Sequence, residues 1–165
     1  MSNFRKGHQY SNELAEVLLV SDAVDIDVAS AGTLFPSQPF VSGTNYRILE
    51  VGFTANATTA VNTTITVELV NGGAAGNDVI TAQAIPVLTG PNAATGVGGA
   101  TVSTSQGGAS TWAFTAGAGG VLDTDGVPRL LAGQTLRWLT AAHAGTGWGY
   151  LWVRLAPEIN RDVDV

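Results

Sequence analysis

The chain has 165 residues, 45% hydrophobic and 12% charged, with 21 Gly, no Cys and a formal net charge of −6. Its seven Lys and Arg are scattered, which argues against the clustered basic surface that phosphate tracking needs. Without cysteine, disulfide staples, thiolate metal sites and Cys nucleophiles are excluded.

The length fits one domain. The charged fraction lies well below the roughly 25% usual in globular chains, and Ala, Thr, Val and Gly dominate. Small and β-branched residues favour strands and tight turns over helices. Met1 to Asn12 is polar and reads as an arm, with Phe4 and Tyr10 as candidate anchors. It has no apolar signal core, and no apolar run in the chain is long enough to predict a membrane span. The arm cannot build a core of its own, so it is expected to lie on a neighbouring subunit.

The body is expected over residues 13–157. Glu13 to Val20 and the alternating Ala23 to Val28 read as strand. Thr33 to Phe40 holds two prolines and is expected to be an extended connection or an edge. Tyr46 to Ala55 is a strand with Leu49, Val51 and Phe53 on one face. Thr63 to Val70 alternates most clearly, with Ile65, Val67 and Leu69 inward and Thr64, Thr66 and Glu68 outward. Asn56 to Asn62 between these two strands reads as a hairpin loop. Asn71-Gly72-Gly73 supplies turn residues before a strand expected over Asp78 to Val87. Leu88 to Gly120 is glycine-rich, but Ala100–Thr104 and Ser110–Thr115 predict short strands within it. Val121 to Arg129 reads as a loop, and Glu158 to Val165 as an acidic tail.

The most informative stretch is Gln134 to Leu155, which reads as a hairpin around His143-Ala144-Gly145-Thr146. If Arg137 pairs with Trp152, one face holds Leu136, Trp138, Leu151, Val153 and Leu155. The other holds Arg137, Leu139, Trp148, Tyr150, Trp152 and Arg154. That second face has too much aromatic surface to leave in water without a reason. Trp148, Tyr150 and Trp152 at period two form a row. It could be covered by the chain itself, serve as a subunit contact, or stack sugar rings. Arg137 and Arg154 could stack on the rings in each case.

The short strands and regularly spaced turns predict an all-β chain: one β-sandwich, as a jelly roll of about eight strands, with an immunoglobulin-like sandwich second. Catalytic signatures are missing. GxSxG, HExxH and P-loop patterns do not occur. His8 and His143 have no carboxylate beside them in sequence. Asp123-Thr124-Asp125-Gly126 resembles part of a calcium loop, but the further acidic ligands are missing, and Asp-Gly also makes turns. Asp123 and Asp125 are thus weak metal candidates. Asp22, Asp25 and Asp27 read as a solvated acidic face.

The polar start, the Cys-free Gly/Ala/Thr/Val body from Leu14 to Pro157 and the closing LLAGQTLRW…GTGWGYLWVRLAP resemble capsid decoration (cement) proteins of tailed bacteriophages. The resemblance implies a non-enzymatic virion protein on the outer capsid surface, made in the host cytoplasm and needing no cofactor. It implies the major capsid protein and copies of itself, as a homotrimer, for partners, with neither nucleic acid nor membrane. A glycan- or receptor-binding module using an exposed aromatic row is the alternative.

Overall fold

A computed structural model describes residues 16–26, 28–34, 45–59, 63–71, 74–91, 99–104, 112–115, 127–141 and 146–158. The expected arm lies outside the described residues, as does all of the tail except Glu158.

The described residues form β1 (Val17–Asp25), β2 (Ala31–Thr33), β3 (Tyr46–Ala55), β4 (Thr64–Asn71), β5 (Ala74–Ala84), β6 (Thr101–Ser103), β7 (Arg129–Leu130), β8 (Gln134–Thr140) and β9 (Trp148–Pro157). A first sheet has the order β1-β9-β3-β6, with β7 on the start of β3, and a second has the order β2-β8-β4-β5. All pairings are antiparallel, and four of them nest: β1 with β9, β2 with β8, β3 with β6 and β4 with β5. These nested pairs are shared between two antiparallel sheets that pack as a β-sandwich.

Period-two alternation fills the space between the sheets. Ile65, Val67 and Leu69 of β4 and Leu136 and Trp138 of β8 face Val51 and Phe53 of β3 and Leu151, Val153 and Leu155 of β9 in one buried cluster. Leu49 does not share the face of Val51 and Phe53. The register slips between Ile48 and Glu50, so Ile48 takes the buried position and Leu49 is the bulge residue.

The expected hairpin over Gln134 to Leu155 does not form. Arg137 of β8 pairs with Thr33 and Glu68, whereas Trp152 of β9 pairs with Val20 and Gly52. The two runs lie in different sheets, so their connection crosses the sandwich. Likewise, Asn56 to Asn62 does not close a hairpin, because β3 and β4 also belong to different sheets. The two crossings meet at a corner. Asn56 N–H and Ala57 N–H both donate to Trp148 C=O, at 2.9 and 3.0 Å. Gly147 sits there at φ 110°, and a Cβ would lie 2.7 Å from the Thr58 carbonyl oxygen. Glycine meets both demands at once.

The fifth strand starts earlier than expected and stops at Ala84, before Pro86. The expected strand over Ser110 to Thr115 is absent from its described part, Trp112–Thr115. This segment instead closes one side of the sandwich. Trp112 is buried; its N–H donates to Ser103 C=O of β6 at 3.1 Å and its indole N–H to Ala84 C=O of β5 at 2.8 Å. Thr115 N–H then donates to Val79 C=O at 2.9 Å.

Candidate interaction surface

Strand β9 runs inside the first sheet, between β1 and β3. Its odd-numbered residues, Gly149 to Leu155, are buried, which leaves Trp148, Tyr150, Trp152 and Arg154 half-buried on the outer face. Gly52 lies opposite Trp152 in register, and a Cβ there would come within 2.2 Å of the indole ring. The missing side chain lets the ring lie across β3, where its N–H donates to Thr54 Oγ1 at 3.0 Å. Thr54 Oγ1 is in turn 2.9 Å from Thr101 Oγ1 on β6. Trp148 and Tyr150 meet edge to face, with centroids 5.6 Å apart and planes at 76°, an arrangement that ring quadrupoles favour.

The row continues onto β1, where Val20 faces Trp152, Ala23 faces Tyr150 and Asp25 faces Trp148. Leu18 and Val20 are exposed. A polar group ends the row. Arg154 lies between two carboxylates, Glu16 at 3.5 Å and the buried Glu50 at 3.4 Å. Ser103 Oγ donates to Glu50 Oε1 at 2.5 Å. Arg154 therefore has its guanidinium engaged by carboxylates.

Of the residues expected at an interface, Trp148, Tyr150, Trp152 and Arg154 come together on this face. Arg137 does not. It stands on the outer face of the second sheet, where it pairs with the buried Glu68. Phe4, Tyr10, Asp123 and Asp125 lie outside the described residues, as do His8 and His143. Among the described residues no three His, Asp or Glu side chains gather as metal ligands would.

Sequence reasoning missed Leu18, Val20, Glu50, Gly52 and Thr54. An isolated Gly inside a strand does mark a close approach, and Gly52 carries that signal. Leu18 and Val20 were obscured because Val17 to Val20 is apolar throughout, so alternation gives no phase there.

Perpendicular rings at Trp148 and Tyr150 share no common plane, so the row is not a flat platform for successive sugar rings. The Trp152 N–H is satisfied within the chain, which leaves that residue apolar contact area to offer.

No protein-family model and no curated protein matches the chain. A solved structure of infectious bursal disease virus, Gx strain, is similar at 12% identity and a TM-score of 0.33, over 90% of this chain and 33% of that one. The chain thus spans about a third of that protein. The β-sandwich is read from the strand order and the shared core.

Proposed function

We propose that the chain is a non-enzymatic structural protein of a virion. It binds the outer capsid surface as a decoration protein, with the outer face of the first sheet against its protein neighbour. Jelly rolls serve viral capsids, lectins and cupins, so the fold by itself leaves the choice open. The virion assignment rests on the resemblance of the body and closing strands to phage decoration proteins. The contact surface rests on one observation: Trp148, Tyr150 and Trp152 stand half-buried on an outward sheet face beside exposed Leu18 and Val20. Trp and Tyr are the residues in which contact energy concentrates.

The experiment is co-sedimentation of the full chain with shells purified from its source, comparing wild type with Trp152→Ala, alongside a glycan array for both. Loss of shell binding in a variant that still melts cooperatively supports the reading. Normal shell binding and melting with loss of a glycan signal replaces it with the glycan-recognition alternative.

A further inference from the structure

We infer that a second copy of the chain joins across the outer edge of β1, strand to strand, about a two-fold axis. This does not rest on the virion reading, because it concerns the purified chain alone.

Main-chain directions identify the edge. Leu151 N–H points toward β1, where Ser21 Oγ accepts it at 3.0 Å. In an antiparallel strand the N–H and C=O of one residue point to the same side, and successive residues alternate. Gly149, Leu151, Val153 and Leu155 therefore face β1, and the engagement of Trp148 C=O by Asn56 and Ala57 on the β3 side fits the same alternation. The register partners Val24, Leu19 and Val17 face back to β9. Leu18 and Val20 are left with N–H and C=O directed away from the sheet. β1 ends the strand order there, and among the described residues no strand follows it.

The two sides of the first sheet are treated differently. Beyond β6, Trp112 bonds to Ser103 and covers the edge. Beyond β1, the stretch Val17 to Val20 has no Lys, Arg or Pro, the residues that usually discourage edge pairing. Leu18 is 60% exposed and Val20 49%. The bulge at Ser21 and Asp22 ends the regular stretch.

The occupant follows from self-complementarity. Leu18 and Val20, both apolar and exposed, stand symmetrically on either side of the buried Leu19. An antiparallel pairing centred on Leu19 sets Leu18 opposite Val20 of the second copy, and Val20 opposite its Leu18. The outward main-chain groups then bond to one another, and the side chains make apolar cross-strand pairs on the outer face. Leu19 keeps its place in its own core. Glu16 would approach Asp22 of the second copy, but Arg154 at 3.5 Å offsets that charge. The two first sheets become one continuous sheet. A two-fold contact closes on itself and leads to no fibre.

The test is sedimentation of the full chain at about 1–50 μM, a range that brackets micromolar affinity. Leu18→Lys/Val20→Lys places like charges opposite each other at sites already exposed, so folding is preserved and is checked by melting. The wild type should be a dimer, and the double variant should dissociate at least about tenfold more readily, since opposed like charges destabilise a strand pair. The natural chain has no cysteine, so register can be read directly. A mixture of Leu18→Cys and Val20→Cys chains should form a disulfide heterodimer in preference to either homodimer. A wild-type monomer over this range, a trimer, a dimer indifferent to the charges, or cross-linking without that preference would each overturn the pairing.

Discussion

The two outer faces of the sandwich are built by the same alternation and end up chemically opposite. On the second sheet, outward positions of β4 and β8 are mostly polar, Thr64, Thr66, Glu68, Thr135 and Arg137 beside Val70 and Leu139, and several of the polar ones are satisfied within the chain. Thr66 Oγ1 accepts from Ala82 N–H at 3.0 Å, and Arg137 pairs with Glu68. On the first sheet, the outward positions of β9 and β1 include Trp148, Tyr150, Trp152, Leu18 and Val20, with Arg154 and Asp25 at the ends of the row. Inward positions are mostly aliphatic or aromatic in both sheets, because both serve one core. Inward residues therefore specify the fold, while outward residues record what each face meets. Fully burying a large apolar side chain returns about 1.5–3 kcal/mol. Half-buried aromatics leave part of that unrealised within the chain.

Substitutions can break this comparison, beginning with the largest effect. Leu151 and Trp152 are neighbours on β9 that point to opposite sides. Leu151→Ala opens a cavity in the shared core and should cost about 2–5 kcal/mol in chemical denaturation, whatever the state of assembly. Trp152→Ala should cost less, about 2 kcal/mol, because the ring is only half-buried and the fully buried aromatic value is higher. Its main effect should be lost shell binding in co-sedimentation. If both variants lost stability equally and binding survived in Trp152→Ala, the outer row would be ordinary core.

Arg137→Ala tests the other face. Glu68 is buried and would lose its partner, yet Arg137 is about a third exposed, so the cost should be about 1 kcal/mol, below that of a fully buried pair. Melting should register the loss while shell binding is unchanged. Thr64→Ala, on the same face, should change stability by no more than about 0.5 kcal/mol and leave binding intact. Reduced binding in either variant would move the contact surface to the second sheet.

Much of the fold was legible in the sequence, and particular residues show why the rest was not. Ile65, Val67 and Leu69 alternate cleanly, and the inward set Leu136, Trp138, Leu151, Val153 and Leu155 is buried as expected. Alternation tells which side of a strand meets the core. It is blind to which sheet the strand joins. A turn beside two alternating runs therefore suggests a hairpin over Gln134 to Leu155, whereas β8 and β9 belong to different sheets. The same blindness placed Arg137 beside the aromatic row. The bulges at Leu49 and at Ser21–Asp22 reset the period locally, and only the tertiary pairing reveals them. In the candidate surface, the aromatic row was visible from its spacing. The role of Gly52 needed the neighbouring strand, because its meaning lies in the indole above it.

On the proposed reading, the first sheet's outer face meets a protein neighbour and the second sheet's outer face does not. Hydroxyl-radical footprinting tests it most directly, comparing the dilute purified chain with the same chain on its shell. Trp152, Tyr150 and Trp148 should lose reactivity on assembly, while Leu139, half-buried on the outer face of the second sheet, should keep its own. Unchanged reactivity along the aromatic row, with protection at Leu139 instead, would contradict the account.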